Sequence, residues 1–76
     1  MGEVRKDHQR LLHNMKLIQK NFGVKELCSL LGITKSTWIN RMKAPWEYFS
    51  YDDLRSIARY TRIDFIKIVD GELGVM

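Results

Sequence analysis

The stretch VKELCSLLGITKSTWINRMK, Val24 to Lys43, decides the fold. Leu27, Leu30 and Leu31 recur at three- and four-residue steps, which places them along the inner side of a short helix. Gly23 is a permissible N-cap for it, and Glu26 falls in the first turn, where the helix dipole favours an acid. Gly32 follows Leu31. Glycine enters the left-handed region without steric cost, so it can end the helix and turn the chain. Thr34 then offers a hydroxyl cap to a second helix, Lys35 to Lys43, which Ala44-Pro45 stops. Leu27 and Leu31 would bury the first helix, Trp38 and Met42 the second, and Ile33 would plug the core from the turn. Cys28 falls where the two helices cross, a place for a small side chain.

The flanking sequence is helical too. Val4, Leu11, Met15, Ile18 and Phe22 recur at helical steps and predict an amphipathic helix from about Glu3 to Lys20. Ser50 followed by Asp53 makes a near capping box for a helix over Tyr51 to Tyr60, with Leu54, Ile57, Ala58 and Thr61 on its apolar side. Asp64 can cap a last short helix, Phe65 to Val69, closed by Gly71. No segment alternates with period two over a useful length. The expectation is an all-α chain of five helices, forming one domain over residues 1–76.

Composition narrows the functional classes. A domain of 76 residues has a thin core and little room for a large enzyme cleft. One cysteine allows no intramolecular disulfide, which suits a reducing, cytoplasmic setting. No apolar run approaches the ~18–20 residues of a membrane span, and MGEVRKDHQR is too charged for a signal peptide, so no membrane partner is expected. His8 and His13 lie about 140° apart on a helix, so they form no metal pair. Nothing accompanies Cys28 to activate it, and a buried, inert thiol is the expectation. Asp52-Asp53 reads as helix capping rather than a catalytic pair. We therefore expect no enzyme, no metal, no cofactor and no small-molecule substrate.

Charge is unevenly placed. Residues 1–43 hold nine Lys/Arg against Glu3, Asp7 and Glu26, whereas residues 44–76 hold four against six acids. Between Glu26 and Glu47 there is no acid, yet Lys35, Arg41 and Lys43 all fall there. Such a segment suits a polyanion, although a solvated face is the ordinary alternative.

The two short helices and their glycine turn resemble the helix-turn-helix of the lambda-repressor-like, Cro-type superfamily. The resemblance extends through STWINRMKAPWEYFSYDDLRSIARYTRIDFIKIV and covers about residues 10–70. It implies a five-helix DNA-binding domain, with the motif at residues 24–43. The aromatic residue followed by Arg-Met-Lys-Ala-Pro is similar to small phage-type regulators within that group. At one pair of positions the chain departs from the pattern. The family places an apolar residue at what is here Arg41 and a polar one at what is here Ile39.

Helical geometry selects a face. At about 100° per residue from Lys35, Trp38 lies near ~300°, Met42 near ~340° and Ile39 near ~40°, an apolar stripe expected to face the core. Ser36, Thr37 and Asn40 lie opposite, flanked by Arg41 and Lys43. Lys35, Ser36, Thr37 and Asn40 are the expected base-contacting residues. Asn40 suits adenine N6/N7 and Lys35 suits guanine N7/O6. Lys25, Thr34, Arg41 and Lys43 are expected on phosphates. Phe49 should anchor the following loop, with Trp46 or Tyr48 touching the DNA backbone, a partner, or the loop itself. The resemblance implies a small transcriptional regulator in a bacterial or phage-infected cell, nucleoid-associated, binding double-stranded DNA as a homodimer. Ile66, the Gly71–Met76 tail and the Met1–His8 turn are candidate dimer surfaces. The alternative is a protein-interaction module, an antitoxin or antirepressor, that keeps the same fold.

Overall fold

The computed structural model describes residues 6–71, 73 and 74, with side chains from His8 onward. The described chain is all-α: α1 (Lys6–Phe22), α2 (Val24–Leu31), α3 (Lys35–Arg41), α4 (Pro45–Tyr48), α5 (Tyr51–Thr61) and α6 (Phe65–Val69). The expected start of the first helix, and with it Val4, lies outside the described residues. Among these residues no helix is long and apolar enough to cross a membrane.

Among the described residues six helices stand where five were expected. Pro45 does not merely stop the preceding helix; it occupies the first turn of α4, where its missing N–H costs nothing and its fixed φ suits helix entry. The amides of Glu47 and Tyr48 donate to the Ala44 carbonyl at 2.9 and 3.1 Å. The helix before it therefore ends at Arg41, with Met42 as its cap, not at Lys43.

The helix ends carry the caps that their sequences announce. Gly32 sits at φ 68°, and the next amide, of Ile33, donates to the Cys28 carbonyl at 3.0 Å. Thr34 accepts from the Thr37 amide at 3.2 Å. Ser50 and Asp53 form a complete capping box on α5, and Asp64 accepts from the Ile66 amide at 3.1 Å. The end of α5 is less regular. Arg62 takes the left-handed conformation at φ 62°, where glycine is the usual occupant.

The core gathers Leu11, Met15 and Ile18 of α1, Leu27 and Cys28 of α2, Trp38 of α3, Phe49 at the end of α4, Leu54 and Ile57 of α5, and Ile68 of α6. Leu31, Ile33 and Met42 pack against it half-buried. Two residues expected inside are outside: Leu30 is 38% exposed and Ile39 52%. α2 is only eight residues long and packs one narrow side, so Leu27 and Cys28 fill the contact and Leu30 faces water. Ile39 is excluded by the rotation of α3, described below.

One buried polar residue ties α1 to α6 and the segment after it. Asn14 stands fully buried on the same side of α1 as Leu11, Met15 and Ile18. Its amide nitrogen lies within 3.2, 2.9 and 2.9 Å of the carbonyls of Lys67, Ile68 and Gly71. Its oxygen accepts from the Leu73 amide at 2.9 Å. A single carboxamide thus satisfies carbonyls that the end of α6 leaves open and pins the following segment to α1.

Two stability predictions follow from this packing. Trp38→Ala should cost roughly 3–5 kcal/mol, the usual range for a buried aromatic, and thermal denaturation reads it directly. Asn14→Asp turns a donor toward three carbonyls into an unpaired buried charge, so at neutral pH it should cost a similar ~3–5 kcal/mol. An unchanged denaturant midpoint for Asn14→Asp would show that the tail is not held by this side chain.

Candidate nucleic-acid interface

The rotation of α3 is set from its buried side. Trp38 is fully enclosed. Its indole N–H donates to Gln19 Oε1 of α1 at 2.7 Å, and its ring meets Phe49 edge-on at 5.2 Å. Arg41 and Met42 lie half-buried to either side of it. The Arg41 guanidinium donates to Asp53 Oδ2 at 3.1 Å and sits 5.8 Å from the centre of the Phe49 ring. The same Asp53 oxygen accepts the Ser50 amide at 3.1 Å, so the charge at position 41 is answered by the cap of α5. This pairing lets an arginine occupy an inward position, and Ile39 is turned out as a consequence. The expected apolar stripe of Trp38, Met42 and Ile39 is corrected to Trp38, Met42 and Arg41.

On the outward side stand Lys35, Ser36, Ile39, Asn40 and Lys43, all exposed. Lys35, Ser36, Asn40 and Lys43 have no side-chain hydrogen bond or ion pair among the described residues. Thr37 differs from them. It is half-buried, and its hydroxyl lies 2.9 Å from that of Thr34, whose oxygen also caps α3. The structure therefore brings Lys35, Ser36, Asn40 and Lys43 together on one free face, and keeps Thr34, Thr37 and Arg41 in contacts within the protein. Lys25 is exposed at the start of α2.

Two open recesses flank α3. One, of about 450 Å³, is lined by Val24, Lys25, Cys28, Ser29, Ile33 and Lys35. The other, of about 460 Å³, is lined by Thr37, Asn40, Arg41, Lys43, Ala44 and Tyr48. Each holds two cationic side chains. Tyr48 is exposed at the edge of the second, while Trp46 turns back and stacks on His8 with ring centres 4.5 Å apart. Phe49 is buried and anchors this segment, as its sequence position indicates.

The remaining reactive groups are occupied or shielded. Burial pushes the Cys28 thiol above its ordinary range, and the nearby Lys35 charge offsets only part of that. Its sulfur approaches the Thr34 carbonyl at 3.6 Å. His13 faces the Leu73 carbonyl at 3.2 Å, far from the surroundings of His8. Among the described residues no three His, Cys, Asp or Glu side chains gather as metal ligands.

Comparison of the chain with protein-family models, curated proteins and solved structures finds no match.

The inward setting of position 41 can be checked by substitution. A half-exposed ion pair contributes about 0–1 kcal/mol, and an apolar side chain there would gain packing against Phe49. Arg41→Leu should therefore leave the thermal midpoint unchanged or raise it. A clear fall would mean that the Asp53 pairing, not the inward orientation, holds α3.

Proposed function

We propose that this chain is a small sequence-specific DNA-binding domain of the lambda-repressor-like, helix-turn-helix kind, acting in transcriptional regulation. α2 and α3 would form the motif, with α3 entering the major groove. The observation that carries this reading is the outward face of α3: Lys35, Ser36, Asn40 and Lys43 are exposed, polar or cationic, and unpartnered within the described protein.

Dimensions agree with the task. An α-helix is about 10–12 Å across with its side chains, and a major groove about 12 Å wide admits one. Short side chains at Ser36 and Asn40 allow close approach to base edges, and Asn40 can both donate to and accept from adenine. The recesses at either end of α3 would receive the two sugar-phosphate walls of the groove, with Lys25 and Lys43 as the leading phosphate contacts. Lys35 borders the first recess and can serve either wall or base. Arg41 commits one donor to Asp53 and keeps others for a phosphate.

Two copies on a pseudo-palindrome, with half-sites about 34 Å apart, would give such a small domain useful affinity. Ile66 and Tyr51 are exposed, and the Tyr51 ring meets Phe65 edge-on at 4.9 Å, so this end of α5 and α6 offers an apolar surface for pairing. Leu73 is held by Asn14, and the Met1–His8 candidate surface falls largely outside the described residues.

Selection of bound sites from random duplex DNA, followed by affinity against salt, tests the proposal. Binding should weaken steeply with ionic strength as counterions are released, and Lys25→Ala or Lys43→Ala should each lower the slope by about one unit without changing sequence preference. Asn40→Ala should keep stability and non-specific binding while relaxing preference at one position per half-site, worth about 1–3 kcal/mol there. Salt-insensitive association with a protein and no selected duplex would instead favour the interaction-module reading.

A further inference from the structure

We propose that Ile39 reads the 5-methyl group of a thymine in the bound site, an inference that rests on the DNA-binding reading above. Ile39 is 52% exposed. It stands one helical turn from Lys35 and one from Lys43, beside the neighbouring row formed by Ser36 and Asn40.

A single exposed aliphatic residue is ordinary on a protein surface. Its company is what distinguishes this one. Every other exposed side chain on the outward side of α3 is a hydrogen-bonding or cationic group. A β-branched residue adds nothing to helix propensity there, and the rotation fixed by Trp38 and Arg41 withholds it from the core. In the major groove the base edges present one apolar group, the thymine methyl, against a background of donors and acceptors. Desolvating an aliphatic side chain against any other part of those edges would strip polar groups of water without replacing their bonds.

Position along the helix makes the inference specific. Ile39 and Asn40 are adjacent, about 1.5 Å apart along the axis and about 100° apart around a helix ~10–12 Å across, so their side-chain tips stand about 8 Å apart, some two to three base-pair steps of ~3.4 Å. The thymine that Ile39 meets therefore lies within about three base pairs of the position that Asn40 reads.

The test uses the full chain and a duplex selected from random DNA. Each thymine is replaced singly by uracil, which removes the methyl and leaves pairing and the O4 acceptor intact. Wild type should lose about fourfold in affinity, the effect of one buried methyl-sized group, at one position per half-site within about three base pairs of the position relaxed by Asn40→Ala. Ile39→Ala should bind with no response to that replacement, and Ile39→Val should keep part of it. Thermal midpoints of both variants should stay near wild type, since the site is exposed. An equal uracil effect in wild type and Ile39→Ala, no effect in either, or a selected site lacking thymine within that window overturns the assignment and leaves DNA binding standing. Failure to select any duplex overturns the DNA-binding reading and this one with it.

Discussion

The burial of Trp38 is the constraint on which the rest of the candidate interface depends. A seven-residue helix has too few turns to define its own rotation by an extended apolar stripe. One large aromatic ring does so instead. It is fully enclosed, its single polar atom is satisfied by Gln19, and Phe49 closes over it edge-on. These contacts tie α3 to α1 and to the end of α4 at once. With Trp38 fixed, the directions of all other α3 side chains follow from helical geometry, including those that meet solvent.

The second constraint lies between α1 and α6. A domain of this size buries a small core, and its last helix has five residues. α6 contributes Ile68 to the interior but cannot satisfy its own terminal carbonyls. Asn14 supplies the missing donors from α1 and takes the Leu73 amide in return. A buried carboxamide with both its ends bonded costs little to bury and specifies one register between α1 and the chain end. Among the described residues no buried side-chain polar atom lacks a partner.

Much of the fold is legible in the sequence because the signals are local. α2 and α6 have their expected bounds, and Thr34, Ser50, Asp64 and Gly32 cap the ends at which they stand. Residues whose roles depend on distant partners were not legible. Asn14 sits in an apolar stripe, and its partners lie more than fifty residues away. Pro45 reads equally as the end of one helix or the first turn of another, and only the Ala44 carbonyl decides. The interface divides the same way. Hydropathy assigned Ile39 to the core and Arg41 to the outward flank, whereas Asp53, twelve residues on, reverses them. Ser36, Asn40 and Lys43 stand exposed where polarity and helical geometry agree, whereas Thr37, on the same expected face, is drawn half-buried onto Thr34.

The uneven charge of the chain has a structural origin that hydropathy does not reveal. Two acids of the second half cap helix N-termini: Asp53 completes the box on α5, and Asp64 caps α6. Their negative charge is placed against backbone amides and the positive ends of helix dipoles. α3, which starts inside the acid-free window, is capped by the neutral hydroxyl of Thr34, so no carboxylate is introduced there for capping. Arg41 meets an acid, and that acid comes from outside the window. The lysines at 35 and 43 consequently face water without a neutralising neighbour among the described residues. The neutral cap of α3 thus leaves Lys35 and Lys43 as unneutralised charges on its exposed side.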